Sequence, residues 1–312
     1  MAAHNLSPAP AGASPDADVG GPQVPLLALD CLWFQVAGTV CNLRCEHCFI
    51  SCAPNNHSFW FLDLDTVVAY LEESKSWGVK EYYYTGGEPF MNKDLLPMLE
   101  RTLSIGPASV LTNATLIPEK TALRLAEIND ASPFSLELRV SLDGPSAETN
   151  DPIRGEGTFD RAMEGIRRLV EHGFLPIVTA AQLWCAQDDA AIYQSFVEAL
   201  HAIGYDRPRI KILPSLHIGR EAHRSRSYSD DERVTAAMME DFDVSQLLCS
   251  SARIVTDRGL YVCPILIDQD DARLGADLDE AARPYALRHR ACFTCWMNGA
   301  ICSNTSGVGL AR

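Results

Sequence analysis

Cys41, Cys45 and Cys48 fall within eight residues, spaced C-x3-C-x2-C, directly after a strand-like run from Cys31 to Val40. Thiolates are the soft ligands that iron–sulfur clusters and zinc select. Three of them on one short loop can hold three irons of a four-iron cubane. The fourth iron then stays open, able to bind and reduce a second molecule. A structural zinc site wants four protein ligands instead. Cys52 offers a fourth, so zinc or a plain electron-transfer cluster stays open on spacing alone.

A second group stands near the far end of the chain. Cys249 and Cys263 bracket a short hairpin with Gly259 before the second thiol, Cys292 and Cys295 form a C-x2-C pair, and Cys302 follows. Two pairs of thiols suit a four-cysteine zinc knot or an iron–sulfur cluster equally well. The chain has 11 cysteines, an odd number, and begins without the basic start and apolar centre of an export signal. Clustered thiols in a reducing, cytoplasmic setting are ligands rather than a disulfide framework. The lone Cys31 and Cys185 are expected to be small core residues.

Polar groups recur where strands should end. Thr85-Gly86-Gly87-Glu88-Pro89 follows the strand-like run Glu81 to Thr85. Its glycines allow close backbone approach, and Glu88 with the loop carbonyls suits a cationic amine. Asn113 follows a strand-like Ser109 to Thr112. Ser141 and Asp143 end another strand and could bind ribose hydroxyls, or simply form a turn. Arg154 carries the planar fork that matches a carboxylate.

The elements that must position these groups alternate. Leu64, Val67, Val68 and Leu71 recur at helical spacing behind an Asp63 cap, and Gly78 ends that helix. Helices are expected at 92–104, 118–128, 159–170 and 190–203, and strands at 136–142, 175–180 and 209–213. About six strand-then-helix units imply an α/β fold with a parallel sheet covered by helices. Six are too few for a closed eight-fold barrel, so an open, partial βα barrel is expected, with its chemistry at the C-terminal strand ends. Residues 1–25, rich in Ala, Pro, Gly and Ser, read as a flexible tail, 26–218 as the barrel and 219–241 as a polar linker. Residues 242–312, with short strands and a helix near Leu278 to Arg288, read as a small cysteine-rich domain stapled by metal.

The cysteine loop, with His47 before its third thiol, resembles the signature of the radical SAM superfamily. The loop at Thr85 to Pro89, about 40 residues on with one helix between, resembles the loop that grips the amino group of S-adenosylmethionine (SAM) in that family. The stretch Asp151 to Gly155 followed by Thr158 and Phe159 resembles the family's approach to its fourth helix, whose Arg meets the SAM carboxylate. The resemblance covers residues 30 to 215. It implies a 4Fe-4S cluster on Cys41, Cys45 and Cys48, with SAM held by Gly86, Gly87, Glu88, Pro89, Asn113, Ser141, Asp143 and Arg154. It further implies reductive cleavage of SAM to a 5′-deoxyadenosyl radical that takes hydrogen from a substrate, with electrons from a flavodoxin- or ferredoxin-type donor. The C-terminal cysteines resemble twitch or SPASM extensions. That resemblance implies a second, auxiliary 4Fe-4S cluster on Cys249, Cys263, Cys292 and Cys295, with Cys302 able to replace one ligand. A zinc-bearing extension and a non-catalytic metal-binding protein are the competing readings.

Composition narrows the substrate. The formal net charge of −15 opposes binding to nucleic acid or anionic membranes, which needs a surplus of Lys and Arg. No apolar run approaches the roughly 18–20 residues of a membrane span. A small molecule or a short peptide is the expected substrate.

Overall fold

The computed structural model describes residues 20–299 and 301–302. Two strands come first, β1 (Gln23–Val24) and β2 (Cys31–Gln35). Alternation follows through α1 (Leu64–Trp77), β3 (Glu81–Thr85), α2 (Leu95–Thr102), β4 (Ala108–Thr112), α3 (Glu119–Asp130) and β5 (Leu136–Ser141). It continues with α4 (Ala147–Arg154), α5 (Thr158–Glu171), β6 (Ile177–Ala181), α6 (Asp189–Ala202), β7 (Arg209–Leu213) and α7 (Gly219–Arg224). The last part holds β8 (Ala252–Thr256), β9 (Gly259–Tyr261), β10 (Arg273–Gly275), α8 (Leu278–Ala281), β11 (Tyr285–Ala286) and α9 (Ala291–Asn298).

Strands β2 to β7 lie side by side in chain order, every pair parallel. This is the open, six-unit barrel that the alternation predicts. Local chemistry sets the boundaries. Asp63 caps α1 by accepting from the Thr66 amide at 2.8 Å, and Gly78 ends it at a φ of 70° that a side chain would resist. Strand alternation then sorts the three tyrosines of β3. Tyr82 meets Ser74 of α1 at 2.8 Å, and Tyr84 bonds Thr102 of α2. Tyr83 turns inward, stacked on Trp33 with ring centroids 4.2 Å apart and covered by the Arg139 guanidinium. That stack fills the barrel interior beneath the strand ends.

Several expectations change. The C-terminal strands join the barrel sheet: β8 pairs in parallel with β2, and β9 and β10 extend the same nine-stranded sheet. An open barrel leaves the β2 edge unpaired, and β8 covers it. Gln23 and Val24, inside the tail expected over 1–25, form β1 instead, which pairs with β11, and Val24 is fully buried; residues 1–19 lie outside the described residues. The helix expected over 278–288 stops at Ala281, since Pro284 cannot continue it, and Tyr285 and Ala286 form a strand. Part of the 219–241 linker is the short helix α7, with Glu221 buried. Cys185 is exposed in the loop after β6, not in the core. Cys31 is buried as expected.

Candidate functional site

At the C-terminal ends of the barrel strands lies an open cavity of about 260 Å³. Cys41, Cys45, Cys48 and Cys52 line it, together with Gly86, Gly87, Asn113, Ser141, Asp143 and Arg154. The structure therefore brings together the three cysteines and six of the eight residues expected around them.

Glu88 and Pro89 do not line this cavity. Glu88 is 1% exposed, and its carboxylate accepts from Thr112 Oγ1 at 2.7 Å, the Asn113 amide at 2.8 Å and the Phe90 amide at 3.1 Å. Burial lifts its pKa to about 7 against those bonds. In the structure its oxygens tie the end of β3 to the end of β4 rather than facing the cavity. The glycines beside it have a packing reason as well. A Cβ on Gly87 would lie 2.0 Å from the Val40 carbonyl oxygen, and one on Gly86 would lie 2.8 Å from the Ala37 amide nitrogen. The turn that leads into the cysteine loop thus sits directly on the bare backbone of these two residues.

The loop is held from other sides too. Asn113 donates to Asn42 Oδ1 at 2.9 Å, and the Glu46 amide donates to the Ile153 carbonyl at the end of α4. The Leu43 amide reaches Cys41 Sγ at 3.4 Å and the Cys52 amide reaches Cys48 Sγ at 3.3 Å. Such donors favour thiolate over thiol. Burial opposes them, lifting Cys41 to about 12 and raising Cys45. A hydrogen bond from the Cys52 thiol lowers Cys48, and the same contact raises Cys52.

Asp143 is the electrostatic centre of the wall. Its Oδ2 lies 2.6 Å from Arg154 Nε and 2.8 Å from His47 Nε2, and its Oδ1 accepts from the Ala181 amide. Burial alone would raise its pKa, but Arg154 and His47 outweigh burial and hold the carboxyl well below its usual range. Arg154 Nη1 stands 4.0 Å from Cys45 Sγ. The arrangement places a fixed cation between a carboxylate and the cysteine loop. Among the described residues, His47 Nδ1 is buried without a hydrogen-bond partner.

Arg220 follows Gly219 in a stretch after the last barrel strand that resembles the lead into twitch or SPASM extensions, and nothing in its spacing ties it to the cysteine loop. Its guanidinium donates to the carbonyls of Cys45 at 2.8 Å, Ser51 at 3.1 Å and Cys52 at 2.6 Å, and its amide to that of Cys48. Gly219, at φ 56°, presses on Phe49, where a Cβ would stand 2.2 Å from the carbonyl oxygen. Two residues of α7 thereby clamp the whole loop.

The later cysteines divide. Cys249, Cys263, Cys292 and Cys295 line one mostly apolar cavity. Cys292 and Cys295 share a face of α9 because they are three residues apart. Cys302 instead lines the large barrel cavity beside Pro264, and its carbonyl accepts from Arg139 at 2.8 Å. Burial raises its pKa to about 12. Among the described residues no three His, Cys, Asp or Glu side chains are gathered tightly enough for a single metal ion. Both sets line cavities. Four thiols around a small apolar void, and three facing an open one, are donor sets that fit iron–sulfur groups.

Comparison with known proteins fits this geometry. Residues 36–183 match the Radical SAM superfamily. The Fe-coproporphyrin III synthase of Methanosarcina barkeri (strain Fusaro / DSM 804) is 35% identical over 135 residues, covering 43% of this chain and 32% of that protein. The match thus spans about a third of that relative's length, and 43% of a probable GTP 3′,8-cyclase of Saccharolobus islandicus (strain M.14.25 / Kamchatka #1). Among solved structures, Streptococcus suis SuiB bound to S-adenosylmethionine superposes with a TM-score of 0.59 at 16% identity, covering 79% of this chain and 63% of SuiB. Native anSMEcpe with bound AdoMet gives 0.58 at 15%, covering 80% and 79%. At such identities the likeness is one of fold.

Proposed function

This chain carries a radical SAM superfamily domain at residues 36–183, and from that premise we propose that the protein is an enzyme that reductively cleaves SAM at a 4Fe-4S cluster and carries an auxiliary cluster. The observation that carries the reading is the convergence of Cys41, Cys45 and Cys48 with Arg154 and Asp143 on one cavity. When bound, the cluster and SAM supply one-electron cleavage of the sulfonium and a 5′-deoxyadenosyl radical.

The chain's own residues bind, orient and enclose. Cys41, Cys45 and Cys48 would hold the cluster on a loop clamped by Arg220. Arg154, kept charged and aimed by Asp143, would receive the SAM carboxylate. Ser141, Asn113 and the backbone at Gly86 and Gly87 line the same wall and would take its remaining polar groups. Cys249, Cys263, Cys292 and Cys295 would hold the auxiliary 4Fe-4S cluster. The barrel cavity is open to solvent beside this wall, and a substrate would enter there next to SAM. We assign that substrate to the class of small molecules or short peptides, and the electron supply to a flavodoxin- or ferredoxin-type donor.

Anaerobic reconstitution tests the reading. It expects about eight irons per chain, about four after Cys41, Cys45 and Cys48 are replaced by Ala, and SAM-dependent 5′-deoxyadenosine under a strong reductant. No deoxyadenosine from fully loaded protein refutes the enzyme. Zinc in place of the second four irons refutes only the auxiliary cluster.

A further inference from the structure

Two buried polar groups stand at or near the smaller cavity. The first is Arg253 on β8, 0% exposed. Its guanidinium donates to the carbonyls of Ala281 at 2.8 Å, Cys249 at 2.7 Å, Ala252 at 2.7 Å and Arg283 at 3.1 Å. All four partners are neutral, and among the described residues no ion pair joins Arg253 to a carboxylate. The ionisable groups within electrostatic reach are Cys249 and Cys263. A buried cation is stable only beside a compensating negative charge, and the thiols of this cavity are the groups placed to carry one.

The second is Tyr285 on β11, 4% exposed, whose hydroxyl is buried without a hydrogen-bond partner among the described residues while its side chain lines the cavity of the four thiols. Cys292, Asp271, Cys263 and Arg288 lie within electrostatic reach of it, and of these Cys292 and Cys263 share its cavity. A buried hydroxyl normally finds an acceptor. Its backbone is fixed, since β11 pairs with β1 through Val24 and Tyr285. The donor is therefore held at the cavity rather than free to turn to solvent.

We propose that the Tyr285 hydroxyl donates a hydrogen bond to a sulfur of an anionic, thiolate-bound iron–sulfur cluster in this cavity, and that this bond, beside the fixed charge of Arg253, raises the cluster's reduction potential. The inference rests on the auxiliary-cluster reading above. Reduction adds one negative charge to the cluster. A donor and a nearby cation stabilise the reduced form more than the oxidised one. A higher potential fits a site that accepts an electron rather than one that drives SAM cleavage.

The test uses the full chain with Cys41, Cys45 and Cys48 replaced by Ala, reconstituted anaerobically, so that one cluster is read. Tyr285→Phe removes a single oxygen and keeps the ring in its packing. The expected result is an unchanged iron content and a reduction equilibrium about tenfold less favourable, which is 59 mV lower for a one-electron couple in an EPR-monitored titration. A solvent-exchangeable proton coupled to the reduced cluster should vanish with the hydroxyl. Iron at full loading with an unchanged midpoint and an unchanged proton coupling overturns the proposal. Zinc, or no metal, on the four cysteines overturns the auxiliary-cluster reading and this proposal with it, and the metal analysis tells the two failures apart.

Discussion

Replacing Arg220 by Ala should loosen the cysteine loop without unfolding the barrel. The guanidinium gives three charge-assisted bonds to carbonyls of that loop, at Cys45, Ser51 and Cys52. Net of exchange with water, each such charged bond contributes about 1.5 kcal/mol, and partial exposure trims the sum to about 2–4 kcal/mol. The loss is local, because α7 packs at the rim while the sheet core lies elsewhere. At 1.4 kcal/mol per decade the opened loop becomes ~30- to 700-fold more populated. If iron leaves through that opening, its release should accelerate by the same factor. The assay is anaerobic transfer of iron from reconstituted protein to a coloured chelator, beside a thermal melt followed by circular dichroism. Arg220→Lys, able to reach fewer of the carbonyls, should fall between the two. A folded Arg220→Ala protein that releases iron within about twofold of the wild-type rate would refute the clamp, since the bonds account for tens-fold or more.

Other outcomes follow from the same wall. Gly87→Ala pushes a Cβ to 2.0 Å from the Val40 carbonyl oxygen and should lower both iron retention and stability, the latter by about 1–3 kcal/mol in a thermal melt. Gly78→Ala, with open space around it at φ 70°, should lower stability by about 1 kcal/mol and leave iron content alone. Asp143→Asn leaves Arg154 buried without its counter-charge and should destabilise by about 3–5 kcal/mol near neutral pH. Because the folded Asp143 is held below its unfolded value, its contribution is full above about pH 4 and fades as pH falls through the depressed value. The gap between wild type and Asp143→Asn in urea should therefore shrink in strong acid, and a constant gap would count against the pairing. Cys52→Ser should keep about four irons at the first site by metal analysis, and loss of that cluster would make Cys52 a ligand.

The spacing of Cys41, Cys45 and Cys48, the Gly86–Gly87 pair and the strand–helix alternation are local patterns, and they determined the cluster loop, its neighbour loop and the six-unit barrel. Periodicity and caps act over a few residues, so the sequence alone displays them. Contacts between distant segments left no such trace. Glu88 was read as a ligand group because its side-chain chemistry was visible, while its burial under Thr112 and Asn113 was not. Arg220 stands some 170 residues beyond the loop it clamps, and no period or motif links the two. The assignment of Cys302 to the barrel cavity, the pairing of β8 with β2 and the orphaned hydroxyl of Tyr285 likewise depend on which surfaces meet. Residue types determined the chemistry available to this protein. Tertiary packing decided which groups face a cavity and which are consumed in holding it open, because burial and partner satisfaction are properties of the assembled chain.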